Sequence, residues 1–336
     1  MSVKRFKSDT GEVKSLIRSK GLGTSSGTIL YDEAVVLEGH QGPVLSARFS
    51  RDGTKIASGG YDKSINLWHL PTQQEEESPN YGVLSGHKSA VTSLAWLWDE
   101  SLISSSADST LGIWDSESGK RIRKLQGHEG VVNQVAVSSE SLIASAGDDG
   151  CLQLWDSREK NSLNTITSNY PILATTFNNR GTTIYVGGIE PTVRAYDVRA
   201  LDKELWTSGG QTDTITSLAL NPDDSVLLSR AMNGNIKTYS AKEFVPEGIP
   251  RANQYGYEGA PSGSEYQVIR ACFSNDSISI LSGSEDRSVT SWDFGSRKLA
   301  NKYTGHEGTV LDVDYHPTER IVVSSSTDGT VIVREV

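Results

Sequence analysis

GHQGPVLSARFSRDGTKIASGGYDKSINLW, residues 39–68, is the stretch that decides the fold. VLSARF (44–49) alternates apolar and polar residues as a half-buried strand does. RDG (51–53) reads as a turn, KIASGG (55–60) as a second strand, YDK (61–63) as a turn and SINLW (64–68) as a third strand. Short strands separated by turns every few residues indicate an all-β sandwich, barrel or propeller.

The unit recurs along the chain. Gly-His stands at Gly39-His40, Gly86-His87, Gly127-His128 and Gly305-His306, and each pair precedes a β-branched or apolar run and a Ser-rich turn carrying Asp. Aromatic or equivalent anchors close the units at Trp68, Trp114, Trp155, Tyr196, Tyr239, Trp292 and Arg334, in steps of 46, 41, 41, 43, 53 and 42 residues. A period near 40 with four strands per unit selects the propeller.

Gly-His at one end of each unit and Trp-Asp at the other (Trp114-Asp115, Trp155-Asp156, Trp292-Asp293) resemble the WD-repeat (WD40) family over about residues 33–336. The resemblance implies an all-β, seven-bladed β-propeller with four antiparallel strands per blade. Residues 31–336 are expected to form the ring and residues 1–30 a basic flexible tail. The chain stops at Val336, directly after the third strand of the seventh unit, whereas Ala34-Val35-Val36-Leu37 precedes the first Gly-His with no strands of its own. This N-terminal strand is expected to pair with the last blade and close the ring, leaving no open sheet edge.

His, Ser, Asp and Trp occur at matched offsets in the first three units: His40, Ser58, Asp62 and Trp68; His87, Ser104, Asp108 and Trp114; His128, Ser145, Asp149 and Trp155. One such set would suggest a hydrolase triad, but a hydrolase needs one nucleophile with its own oxyanion hole. Three complete copies on one period indicate architecture. The family resemblance implies structural tetrads, in each of which a buried hydrogen-bond chain runs from Trp to Ser to His to Asp. The other units depart from the pattern. Ser168, Val186, Glu190 and Tyr196 occupy the four positions in the fourth, and Gln211, Ser229, Asn233 and Tyr239 in the fifth. The sixth keeps Ser282, Asp286 and Trp292 but has Ser264 for His; the seventh keeps His306, Ser324 and Asp328 but has Arg334 for Trp. Blades four and five are therefore expected to be the least rigid unless a partner holds them.

Composition narrows the function. Net charge is −10, yet residues 1–30 carry six Lys/Arg (Lys4, Arg5, Lys7, Lys14, Arg18, Lys20) against Asp9 and Glu12, leaving the rest more acidic still. An acidic body is a poor general binder of nucleic-acid backbone, so RNA contact is expected to be indirect or through the tail. Cys151 and Cys272 have no metal or redox spacing and read as small buried thiols of a reduced, intracellular protein. No metal-ligand cluster, phosphate-binding Gly loop or catalytic carboxylate pair stands out, and no metal or cofactor is expected. Gly59-Gly60 and Gly187-Gly188 read as strand-end turns without a following helix. No apolar run is long enough to span a membrane.

By the family resemblance, three positions per blade face the rim of the central channel. A protein-binding face is expected, weighted to Leu45, Tyr61, Leu173, Ile189, Met232, Ile269 and Leu311. Two insertions interrupt the period: an acidic loop at 71–80, PTQQEEESPN, and the segment 241–264, which holds Phe244, Tyr255 and Tyr257 among Pro and Gly and is expected to make an ordered contact.

DSESGKRIRKLQGH (115–128), LATTFNNRGTTIYVGGI (173–189), the run from Leu228 to Pro246 and the Trp-less final blade are similar to the WD-repeat subunits of the spliceosomal U5 snRNP. That similarity implies a non-catalytic nuclear scaffold in pre-mRNA splicing, monomeric within a larger complex, docked on the large core protein of the U5 particle and on other spliceosomal proteins. A second class stays open. Asp149 with Trp155-Asp156-Ser157-Arg158 resembles the signature of substrate receptors for cullin-RING ubiquitin ligases, although the tetrad already accounts for Asp149 and Trp155.

Overall fold

The structure is a computed structural model that describes residues 14–15, 30, 33–72, 79–262 and 267–336. Among these residues the strands form seven antiparallel sheets; six run from an innermost to an outermost strand in chain order, and the seventh takes its outer strands from the start of the chain. Blade one, for example, comprises Val44–Phe49, Lys55–Gly60, Ser64–His69 and Asn80–Ser85. The innermost strands contact one another around the ring, and the last, Val310–Tyr315, packs against the first, Val44–Phe49. The chain is thus a seven-bladed propeller. Most of the tail expected at 1–30 lies outside the described residues.

The seventh sheet joins the two ends of the described ring. Ala34–Glu38 pairs antiparallel with Thr330–Glu335, with Ala34 opposite Arg334, Val36 opposite Ile332 and Glu38 opposite Thr330. Val35 and Leu37 turn one face of this strand into a cluster with Val44 and Phe49 of blade one and Val323 and Val333 of blade seven. The core is a series of such seams between neighbouring blades. Each blade buries both faces, so its middle strands read as continuous buried runs (Leu102–Ser106, Thr110–Trp114), whereas the outermost strand Leu299–Thr304 is almost wholly exposed.

Three details differ from expectation. Blade five has three regular strands, and its fourth position is taken by irregular backbone, with bridges from Tyr239 to Ala252 and from Ile236 to Tyr257. Pro250 and the several glycines of this insertion interrupt a regular ladder. Gly59-Gly60 and Gly187-Gly188 are the last residues of second strands within the sheet; they are not turn residues. A Cβ on Gly59 would lie 2.6 Å from Val91 Cγ1, and one on Gly187 would lie 2.8 Å from Ile215 Cγ2. Only glycine allows the next blade so close. Lastly, the innermost strands of six blades carry a β-bulge near their start, at Leu45, Thr92, Asn133, Leu173, Thr216 and Leu311.

The bulges surround the narrow end of the central channel, and one side chain closes it. Arg270 of blade six is buried; its Nη2 donates to the carbonyls of Thr92 (2.9 Å) and Asn133 (3.2 Å), and its Nη1 to Asp312 (3.1 Å). Asp312 also accepts from Ser46 Oγ (2.9 Å) and pairs with Arg48 (2.9 Å). One guanidinium therefore ties together blades two, three, six and seven. Beyond it the channel widens to about 410 Å³ and is walled by Arg48, Ala95, Ala136, Thr176, Cys272 and Asp314.

Deleting residues 31–39 exposes the edge of Thr330–Glu335 and removes Val35 and Leu37, each contributing about 1.5–3 kcal/mol of burial. The truncated protein should lose the single cooperative transition seen by Trp fluorescence in urea; unchanged melting would show that the ring does not depend on this strand.

Candidate docking site

The repeated His, Ser, Asp and Trp residues come together in each of the first three blades. Trp68 Nε1 donates to Ser58 Oγ (2.8 Å), which lies 2.8 Å from His40 Nε2, and His40 Nδ1 is 2.9 Å from Asp62. In blade two the corresponding distances are 2.7 Å (Trp114–Ser104), 2.7 Å (Ser104–His87) and 3.3 Å (His87–Asp108). In blade three they are 2.8 Å (Trp155–Ser145), 2.7 Å (Ser145–His128) and 2.8 Å (His128–Asp149). Each Asp also accepts the backbone N–H of the residue after His, from Gln41, Lys88 and Glu129. A loop, two strands and a turn are thereby fastened into one unit.

Ser58, Ser104 and Ser145 are fully buried, and each oxygen already receives the indole N–H. No substrate carbonyl can reach them, so these hydroxyls cannot act as nucleophiles. Among the described residues, no three His, Cys, Asp or Glu side chains gather to hold a metal ion. Cys151 and Cys272 sit on strands but are half-buried, Cys272 because it faces the channel.

Electrostatics reflects the same packing. Burial would raise the Asp62 carboxyl, but the His40 and Gln41 hydrogen bonds outweigh it and hold the group well below its ordinary value. Burial likewise opposes, and donors override, at Asp108, Asp149 and Asp328. Burial lowers His87 against the pull of Asp108, and lowers His316, which packs on Phe49.

The other four blades replace the tetrad differently. In blade seven His306 keeps Ser324 (2.9 Å) and Asp328 (3.3 Å), while Arg334 donates to the Thr304 carbonyl. In blade five Gln211 Nε2 takes the place of imidazole and donates to Ser229 Oγ (2.7 Å). Blade six departs furthest from the sequence reading. Trp292 donates to the Glu258 carbonyl (2.8 Å), Asp286 pairs with Lys302, and Ser282 receives Arg230 Nη1 (2.6 Å) from blade five. Its Ser264 lies outside the described residues. In blade four Tyr196 donates to Glu204 (2.9 Å), and Arg194 pairs with Glu190.

The face carrying the Gly-His loops was expected to present seven docking residues, and the structure divides them. Tyr61 (66% exposed) and Ile189 (46%) project into solvent, and Leu45 and Met232 are half-buried. Leu173, Ile269 and Leu311 are buried, so they contribute no open docking surface. Leu173 and Leu311 are the bulged residues of their strands, and the Leu311 carbonyl accepts the Arg270 N–H. Ile269 precedes Arg270, and its carbonyl is bonded to Thr216 Oγ1 (2.8 Å). The sequence reading missed Arg270 and Arg230; an arginine inside an apolar strand, as in VIRACF and LLSRAM, is the signal that marks both. It also missed Tyr170, exposed on this face, and Trp98, which is stacked under Arg51 at 3.8 Å.

Of the two insertions, residues 73–78 lie outside the described residues. The other is described through 262. Arg251 stacks on Trp206 and donates to the Lys242 and Glu243 carbonyls, holding Phe244 outward at 78% exposure. Tyr255 is exposed, but Tyr257 is core, its hydroxyl on the Phe294 carbonyl.

Comparison with known proteins agrees with this geometry. The family model "WD domain, G-beta repeat" matches residues 202–240, 259–293 and 297–334, and "TEP-1 second beta-propeller" matches 16–178. The chain is 34% identical to the U5 small nuclear ribonucleoprotein 40 kDa protein of Dictyostelium discoideum, over 94% of this chain and 88% of that one. It is 37% identical to pre-mRNA-splicing factor cwf17 of Schizosaccharomyces pombe (88% and 86% covered). It is 35% identical to the Homo sapiens U5 40 kDa protein (90% and 83%). These names give the ubiquitin-ligase reading no support, and Asp149 and Trp155 of its signature are engaged in the third tetrad.

Two outcomes follow from the tetrads. Ser104→Ala orphans the Trp114 N–H and His87 Nε2, at about 1–3 kcal/mol each, and should lower the urea midpoint accordingly. Lowered pKa values mean that the folded state binds protons more weakly than the unfolded chain. Thermal stability should therefore be full above pH ~6.5, fall below it as His87 and His316 gain protons, and fall again below pH ~3.9 as the tetrad carboxylates do. Melting curves independent of pH between 7 and 3 would contradict this.

Proposed function

This chain belongs to the WD-repeat family of the U5 small nuclear ribonucleoprotein 40 kDa proteins, and we propose that it is a non-catalytic docking scaffold of the spliceosome, acting in pre-mRNA splicing in the nucleus. The observation that carries this is similarity along nearly the whole chain to relatives named for the U5 particle and for splicing. The structure supports the scaffold half of the reading, because the repeated Ser, His and Asp groups are used up in holding strands and turns together.

The ring, residues 31–336, supplies the docking surface, with the large core protein of the U5 particle as its main partner and other spliceosomal proteins around it. Tyr61, Ile189, Met232 and Leu45 form the accessible part of the Gly-His face. The basic segment 1–30 supplies any contact with RNA, since the body is acidic.

Tagged protein purified from nuclear extract should bring down U5 RNA and spliceosomal proteins; recovery of a cullin adaptor in their place would overturn the reading. The double variant Tyr61→Glu and Ile189→Glu should lose most of that recovery with Tm unchanged, because both side chains are exposed. Full recovery would move the docking surface elsewhere on the ring.

A further inference from the structure

Most outermost strands of the ring carry little charge. Asn80–Ser85 and Asn164–Thr167 hold no charged residue, and Leu299–Thr304 holds one, Lys302, which pairs with Asp286. The outermost strand of blade two, Arg121–Gln126, differs. With the residue before it, it reads KRIRKLQ, and residues 118–128 hold four Lys/Arg and no Asp or Glu. Lys120 and Arg121 are exposed, and Arg123 and Lys124 are half-buried. Blade three adds two more cations. Arg123 Nη1 donates to the Ser157 carbonyl (2.9 Å), and Arg158 and Lys160 stand exposed on the turn that follows. None of these six forms an ion pair among the described residues, whereas Lys55, Arg194 and Lys302 do. The flanking turns contain Asp115, Glu117, Asp156 and Glu159. Asp115 is taken up by Ser118 Oγ and the Glu117 N–H, and Asp156 by the Arg158 N–H, and the cations still outnumber the carboxylates. The surplus is felt at His87, where burial first, and then Arg121 and Lys124, hold the ring below its ordinary pKa.

An outermost strand turns alternate N–H and C=O groups away from its sheet, ready to pair with another chain. Among the described residues, the backbone of Arg121–Gln126 bonds only to Thr110–Trp114 within the sheet. Charge on an edge keeps a second copy of the chain from pairing with it. The uncharged edges of blades one and three show that this ring does not depend on that device. Four cations in five residues repel one another, and an anionic partner relieves the repulsion. Ile122, 57% exposed, adds an apolar contact beside them. The ring beneath Arg121, Trp114 at 5.6 Å, is buried, and the strand itself carries no aromatic residue, so it offers no platform on which bases could stack. An acidic polypeptide fits better than RNA, because its backbone pairs with the free edge while its carboxylates meet the basic side chains.

We propose that Arg121–Gln126 is a docking edge, to which an extended acidic segment of a protein partner adds as a fifth strand of blade two. Carboxylates of that segment meet Lys120, Arg121, Arg123 and Lys124, and its apolar side chains cover Ile122. The edge deepens the docking reading and rests on it, by placing a second contact on the outer rim and naming the chemistry of its partner.

The test uses purified full-length protein titrated with the dye-labelled peptide Glu-Asp-Val-Glu-Asp-Val-Glu-amide, its counterpart with Lys at every acidic position, its counterpart N-methylated at every residue, and decauridylate. The acidic peptide should bind saturably by fluorescence anisotropy and slow amide hydrogen exchange in Arg121–Gln126. The Lys peptide should not bind. The N-methylated peptide, which keeps the charges but cannot form a ladder, should bind at least roughly tenfold more weakly. Lys120→Glu combined with Lys124→Glu should also weaken the acidic peptide roughly tenfold with Tm unchanged, because the charges it removes attract the ligand. No saturable binding, equal binding of the Lys or N-methylated peptide, protection confined to other strands, or undiminished binding to the double variant would each overturn the docking edge. So would decauridylate binding more tightly than the peptide and losing affinity in the same variant, since the strip would then be an RNA contact. The titration contains no spliceosomal component, so a failed edge is distinguishable from failure to recover U5 particles from extract.

Discussion

Everything in this molecule depends on pairing Ala34–Glu38 with Thr330–Glu335. A stack of twisted sheets leaves an apolar face bare at each end unless it closes on itself. Here a strand from the beginning of the ring completes the sheet at its end, and the seam between blades seven and one becomes equivalent to the others. Closure gives every blade two neighbours and so makes a seven-part core cooperative. The free outermost strands Asn164–Thr167 and Leu299–Thr304 are largely exposed and polar.

Within that ring the tetrad is a rivet repeated where a loop and a turn need fixing. Its chemistry is that of a hydrolase triad placed where no substrate can go. The same Ser that would attack a carbonyl at a surface here accepts an indole N–H inside a sheet. Burial decides between the two roles. The incomplete blades show how the space is reused. Glutamine, and an arginine borrowed from the neighbouring blade, reach the Ser hydroxyl in two of them, while blade four builds an ion network around Arg194 and leaves a gap.

The channel axis imposes a second constraint. Arg270, Asp312 and Arg48 form a buried charged knot at the end nearer the Gly-His loops. Arg270 and Asp312 are out of water, and such charges are tolerable only when paired: Asp312 takes both arginines, and the carbonyls of Thr92 and Asn133 accept from Arg270. The knot closes the channel from that side. Away from the constriction, Tyr61, Tyr170 and Ile189 stand clear in solvent.

The sequence by itself determined the repeat, the strand pattern, the closing segment 34–37 and the partners within each tetrad. All of these rest on local alternation or on a period that one reading of residues 39–68 exposes. It did not determine which rim residues remain accessible. Leu311 and Ile189 look alike in sequence, yet one is the buried, bulged residue of an innermost strand and the other lies exposed on a turn. Nor could it show that Arg270 meets the carbonyl of Leu45, 225 residues away, or that Arg230 serves the blade after its own. Such contacts depend on how seven sheets converge on a common axis. Only the closed ring fixes that convergence, because no segment carries the position of the axis within itself.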